Sequence, residues 1–198
     1  MIDTLCKFKE YVKLTYMKVV ISAHFDLARP IMFMKLDDKG LSGLVDNFAG
    51  VFASYQASRR TGTPVYLTNY EELDFDGADA AAKTLDKETL VIVVDTILEQ
   101  DILGKPVSIA NAYDLSPEIW TQLKSKFSDK IHFKDGFFEQ TEDESWIYGH
   151  KNGLKTFYFG VPIPGTYYHS TENRVSLKTI DDATETLIEV INWFSNVK

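Results

Sequence analysis

Apolar runs of strand length alternate along this chain with stretches whose apolar residues recur at helical spacing. Residues 17–23 (MKVVISA) form a short β-branched run, the pattern of a strand buried on both faces. A second run, 31–36 (IMFMKL), follows Pro30. Residues 47–59 carry apolar side chains at 48, 51, 52 and 55, which predicts a helix closed by Thr61-Gly62. Strands are predicted over 65–70 (VYLTNY), 90–94 (LVIVV), 107–112, 131–133 and 154–160. Helices are predicted over the Ala-rich 78–85, over 117–127 with Ser116 as N-cap and Pro117 in the first turn, and briefly over 144–151. A long amphipathic helix runs from 178 to the end, with apolar residues at 180, 183, 187, 188, 191 and 194. The alternation predicts an α/β fold: a mostly parallel, mixed central sheet flanked by helices. No repeat, low-complexity tract or linker interrupts it, so residues 1–198 read as one domain.

Composition narrows the function classes. Lys plus Arg number 21 against 29 Asp plus Glu, a formal net charge of −8. That balance speaks against a nucleic-acid partner and against docking on anionic lipid. No apolar run approaches the roughly 20 residues of a membrane span. The first 17 residues mix Lys7, Lys9, Glu10 and Lys13 among apolar ones, unlike a signal peptide. The single cysteine, Cys6, excludes an internal disulfide and is assigned no chemistry. A cytoplasmic protein is expected.

Ligands of open α/β sheets bind at the carboxyl ends of the strands. In this chain those ends hold His24-Phe25-Asp26, Glu71-Glu72 and Asp95-Thr96. Asp46-Asn47 precedes the first helix, and His169-Ser170 follows the Pro162–Gly165 loop. Each piece alone has a plainer reading: a surface histidine, a solvated turn, a helix cap, a loop histidine. Together they gather carboxylates in a semi-buried crevice, where they repel one another unless a cation joins them. Two histidines with several carboxylates suit zinc or a similar cation.

The ordered set His24-x-Asp26, Asp46, Glu71-Glu72, Asp95, His169 resembles the co-catalytic, two-metal zinc aminopeptidases. It is similar to the tetrahedral glutamyl-aminopeptidase and endoglucanase-like family and to the single-domain leucine-aminopeptidase-like zinc exopeptidases. The segments Asn152-Gly153-Leu154-Lys155-Thr156 and Tyr168-His169-Ser170 with Glu172 strengthen the likeness. The resemblance implies a zinc-exopeptidase (phosphorylase/hydrolase-like) core. It implies two divalent ions, zinc first, with cobalt or manganese as alternatives. His24 and Asp95 would complete one metal site, Glu72 and His169 the other, and Asp46 would bridge both. Asp26 would accept a hydrogen bond from the far ring nitrogen of His24 and fix its tautomer. Glu71 would be the general base toward a water shared by the metals. Asp46-Asn47 is the expected place of a non-proline cis peptide.

The implied activity is that of a metal-dependent exopeptidase, an aminopeptidase, acting on a peptide or small amide substrate. The alternatives are a related amide hydrolase, such as an N-acyl amino acid deacylase, or a non-catalytic metal-binding homologue. One departure is plain. The tetrahedral family inserts a large domain between its first metal histidine and its bridging Asp, whereas Leu27 to Val45 spans only 19 residues here. A core without that lid domain is therefore expected, and a homo-oligomer is left open. Residues 31–33 with Tyr167-Tyr168 are candidates to line a substrate pocket, and Arg29 to meet a substrate carboxylate. Asp143 reads as a helix N-cap and, less directly, as support for the metal residues. His132 and His150 read as structural and exposed, and Asp37-Asp38-Lys39-Gly40 as a turn.

Overall fold

A computed structural model describes residues 17–28, 34–134, 136 and 143–196. Cys6, Arg29 and residues 31–33 lie outside the described residues. The main sheet has six strands: β1 (Val19–His24), β4 (Val65–Thr68), β5 (Leu90–Leu98), β6 (Val107–Tyr113), β7 (Ile131–Phe133) and β8 (Lys155–Ile163). Their order is β4-β1-β5-β8-β6-β7. The first four run parallel, and β6 and β7 run the other way, so the sheet is mixed as expected. A second antiparallel sheet joins β2 (Met34–Asp37), β3 (Gly40–Gly43) and β9 (Arg174–Val175) in the order β2-β3-β9.

Helices α1 (Phe48–Thr61), α3 (Pro117–Phe127) and α5 (Leu177–Asn196) share one buried cluster with Val19, Ile21, Ala23, Leu90, Ile92 and Val94. Helix α2 (Asp76–Ala82) packs with Val20, Val91 and Val93. So does the segment that begins as α4 (Glu144–Trp146) and continues as a π-turn over Ile147–Lys151. The continuous apolar runs of β1 and β5 thus conceal an alternation, with odd and even positions feeding different layers. On the α2 face the rows read Val20-Ser22-His24 and Val91-Val93-Asp95. Each row places a polar side chain, His24 or Asp95, just beyond the point where β1 and β5 stop pairing.

Most predicted elements recur within a few residues; β3, β9 and the small sheet they build with β2 are not predicted by the sequence pattern, and the other differences concern element ends. β5 runs on to Leu98, because β8 pairs with it from Leu90 through Leu98. Asp95 therefore sits inside the strand, beyond Val93, where pairing with β1 stops. β8 likewise continues through Pro162 to Ile163, past Gly160, where β6 ceases to pair with it. β4 is shorter than expected, and Asn69 and Tyr70 already belong to the following turn. The stretch between His24 and Asp46 contains the β2–β3 hairpin, whose turn at Asp38-Lys39 is closed by Lys39 N–H donating to Asp37 Oδ1 at 2.9 Å.

The entry into α1 is fixed tightly. The Asp46–Asn47 peptide is cis. Asn47 is fully buried, and its Nδ2 donates to Val94 O at 2.8 Å, tying α1 to β5 next to Asp95. Gly50 makes room for this amide: a Cβ there would lie 2.0 Å from Asn47 Oδ1. Alanine normally stabilises a helix interior over glycine by about 1 kcal/mol. Here Gly50→Ala is expected to destabilise the protein by about 1–3 kcal/mol, as overpacking does. Urea unfolding measures the sign, and a gain in stability would contradict the packing of Asn47 over α1.

Candidate metal centre

The strand order reverses direction between β1 and β5, since β4 lies on one side of β1 and β5 on the other. The carboxyl end of that pair is a crevice. His24 closes β1, Glu71 and Glu72 follow β4, and Asp95 projects from β5. Asp46 arrives from the start of α1, and His169 from the loop after β8. All seven residues expected from the sequence come together there. His24, Asp46 and Asp95 are buried.

Two groups converge among the described residues. In the first, His24, Glu71 and Asp95 bring one donor atom each to within 4.8 Å of one another. In the second, Asp46, Glu72 and His169 do the same. Asp46 spans the two: Oδ1 lies 3.7 Å from His24 Nε2, and Oδ2 lies 3.3 Å from His169 Nε2. Thr96, which the sequence reading did not assign a role, sets that pose. Its Oγ1 donates to Asp46 Oδ1 at 2.8 Å, while its N–H donates to Asp95 Oδ1 at 2.6 Å. Asp26 Oδ1 lies 3.4 Å from His24 Nδ1, on the side of the ring away from the cluster. The same carboxylate accepts the N–H groups of Glu71 at 3.2 Å and Glu72 at 3.3 Å, so it fastens the glutamate turn to β1. Glu71 Oε2 approaches His24 Nε2 to 3.8 Å, within the same cluster as Asp95.

This donor set fits a pair of cations. Glu72 Oε1 is buried and has no hydrogen-bond partner, although His169 Nε2 stands 3.2 Å away. Such donors face a common point rather than each other. Protonation tells the same story. Burial pulls the His24 imidazole down, but the carboxylates of Asp95, Asp26 and Asp46 overcome it and hold it well above its ordinary value. Contacts with Asp46 and Glu72 push His169 up to about 10. Burial, with the charges of Asp95 and Glu72, pushes Glu71 up to about 10. Burial also raises Asp95, to about 6, with Asp46 adding to the shift. Burial opposes ionisation of Asp46, but its contacts with His169 and His24 keep it well below the usual carboxylate range. The crevice therefore gathers positive charge as protons, which divalent ions would displace.

A buried polar layer lies directly behind. Ser22 Oγ donates to Glu144 Oε2 at 2.8 Å and lies 2.9 Å from the Tyr148 hydroxyl. Glu144 is 1% exposed, and burial pushes its carboxyl up to about 7. Asp143 caps α4 by accepting Ser145 N–H at 2.5 Å, as the N-cap reading expects. It also accepts a bond from Asn111, and burial raises it to about 6. Nothing in the pattern of 143–146 distinguished a cap from a core acid. His132 and His150 join neither cluster, and His150 stacks on Trp146 at 5.3 Å.

No family model matches this sequence, and no curated protein matches it in sequence. Solved structures do match its fold. The Pyrococcus horikoshii TET1 peptidase, which can assemble into a tetrahedron or a large octahedral shell, is 18% identical with a TM-score of 0.60, covering 81% of this chain and 52% of its own. The Legionella pneumophila LapA aminopeptidase is 12% identical with a TM-score of 0.58, covering 92% and 53%. An aminopeptidase of the M18 family from Thermotoga maritima is 12% identical with a TM-score of 0.54, covering 77% and 46%. This chain thus spans about half the length of the structures it matches. No helix among the described residues is long and apolar enough to cross a membrane.

Glu144 gives the layer behind the site a pH signature. Its folded value lies above its ordinary one, so the stability it contributes is complete below about 4.5 and is lost as pH rises through about 7. Glu144→Gln keeps the shape without the titration. In cation-free protein, the melting temperature of the wild type should fall relative to Glu144→Gln as pH rises across this window. Parallel profiles would contradict the assignment. Together these observations give the chain the α/β fold of solved aminopeptidases, with histidines and carboxylates gathered at the carboxyl end of its sheet.

Proposed function

We propose that this protein is a metal-dependent aminopeptidase. The observation that carries the reading is the division of the Asp46 carboxylate, one oxygen toward each histidine. A carboxylate so placed suits two cations held side by side. His24 and Asp95 with one oxygen of Asp46 would hold the first, and Glu72 and His169 with the other oxygen the second. Imidazole and carboxylate donors suit zinc, with cobalt or manganese as alternatives. Such a pair supplies Lewis acidity to the scissile carbonyl and acidity to the attacking water.

The rest is the work of the chain. Asp26 orients the His24 ring and fixes the turn that carries both glutamates. Thr96 holds Asp46 in its divided pose. Glu71 takes the proton of the attacking water and delivers it to the leaving amine. With cations held beside it, the Glu71 carboxyl would give up its proton more readily and could cycle near neutral pH. Residues 1–198 act on this reading as one catalytic core, on a peptide or small amide substrate.

Glu71→Gln separates base from ligand. It should lower kcat by about 10²–10⁴ on an aminoacyl-anilide, the loss expected for a general base. Bound metal, counted by elemental analysis, should not change. Undiminished activity would contradict the mechanism. Loss of metal would make Glu71 a ligand instead. Cleavage of N-acyl amino acids in preference to aminoacyl-anilides would move the protein to the deacylase alternative.

A further inference from the structure

Beyond the clustered ligands, a cavity of about 910 Å³ opens against Glu71, Glu72 and His169. That is more room than the reacting groups need and is the size of a pocket for a side chain and peptide stub. Its remaining wall includes Leu73, Phe75, Trp146 and Ile147. We propose that this wall reads the first residue of the substrate as a large apolar side chain, with Phe75, Trp146 and Ile147 as the specificity-determining residues. The proposal rests on the aminopeptidase reading and adds the substrate class.

Three observations support it. First, the wall is packed into the core. Phe75 and Ile147 belong to the buried cluster of Ala78, Val91, Val93 and Tyr148, and Trp146 packs against the same cluster. Trp146 is also stacked on His150, and its neighbours Asp143 and Glu144 are anchored in the layer behind the site. A preformed apolar wall rewards apolar contact without first having to be ordered.

Second, one turn builds both the chemistry and the wall. The N–H groups of Leu73, Asp74 and Phe75 all bond to Tyr70 O, at 3.3, 3.0 and 2.7 Å. Glu71 and Glu72 lie inside that turn. Tyr70 and Phe75, at its two ends, have φ of 66° and 62°, a region non-glycine residues seldom enter. Backbone of this kind persists where surroundings enforce it, often at ligand sites. Leu73, 76% exposed, stands on the same turn next to Glu72.

Third, away from the clustered ligands Asp46, Glu71, Glu72, Asp95 and His169, the charged groups on the lining do not favour a charged side chain. Asp74 and Asp101 are matched in number by Lys134 and Lys151. Asp74 Oδ1 already accepts Asp76 N–H at 3.3 Å, and Lys151 is paired with Asp79 at 3.1 Å. A basic first residue drawn to Asp74 and Asp101 is the competing outcome.

The test uses the zinc-loaded protein and the 4-nitroanilides of alanine, leucine, phenylalanine, lysine and glutamate. Leucine and phenylalanine should exceed alanine in kcat/KM by at least about 10-fold, the scale of a few methylenes in an apolar pocket. Lysine and glutamate should fall below alanine. Trp146→Ala and Phe75→Ala should each cut the leucine-to-alanine ratio by about 10-fold. Trp146→Leu, which keeps apolar bulk, should preserve most of it and serves if the alanine variants fail to fold. Calorimetry on the zinc-loaded Glu71→Gln protein, which lacks the base, gives a readout without turnover: leucinamide should bind at least about 10-fold more tightly than glycinamide. Preference for lysine or glutamate, or an unchanged ratio in the variants, overturns this inference and leaves the peptidase reading standing. Neither cleavage of any anilide nor binding of any amide overturns both.

Discussion

Mutual repulsion among carboxylates is the constraint around which this molecule is organised. Asp26, Asp46, Glu71, Glu72 and Asp95 meet at one end of the sheet, with His24 and His169 among them to carry positive charge. Buried like charges are expensive, and the crevice answers by holding protons on His24, His169 and Glu71. Two divalent ions would do the same more completely and would offset half of the net charge of −8. On this view much of the acidic excess is the counter-charge of a cation pair rather than a solvated surface.

The fold holds these groups in place by ordinary means. Parallel pairing of β1, β4 and β5 brings three strand ends to one edge. Alternation on β1 and β5 puts His24 and Asp95 on the same face, just past the end of their pairing. Asn47 locks the start of α1 to Val94, so Asp46 reaches the cluster from the opposite layer, and Thr96 joins Asp46 to Asp95. The β2–β3 hairpin pairs with β9, just after His169, and thereby links the two ends of the site. Gly40, with φ of 133° and its α-carbon against Val175, allows that pairing, since a Cβ would meet Val175 O at 2.0 Å. Among the described residues between Leu27 and Val45, the β2–β3 hairpin (Met34–Gly43) thus contributes a structural strap.

Much of this was legible in the sequence because the signals are local. A β-branched run such as 90–94 has few conformational alternatives, and Ser116-Pro117 marks a helix start whatever surrounds it. The gathering of His24, Asp46, Glu71, Glu72, Asp95 and His169 followed from strand order and from the resemblance. What was not legible depends on partners distant in sequence. β5 extends to Leu98 because β8 lies alongside it, which no property of 95–98 announces. The roles of Thr96, Ser22 and Glu144 arise from contacts across up to 126 positions. The apolar wall was expected at residues 31–33 and Tyr167-Tyr168. Tyr168 does line the cavity, but Phe75, Trp146 and Ile147 carry no local mark of a pocket role, because the turn after β4 and the 144–151 segment meet only in the folded chain.

The account stands most directly on the number of cations the chain holds. Chelator-treated protein, dialysed against zinc and then against zinc-free buffer, can be analysed for metal per chain beside its Asp46→Ala variant. Wild type should retain close to two equivalents, and Asp46→Ala, which removes an oxygen from each site at once, should retain fewer than one. Wild-type protein that stays folded and retains no zinc would contradict the cation pair, and with it the reason for gathering five carboxylates at one edge of the sheet.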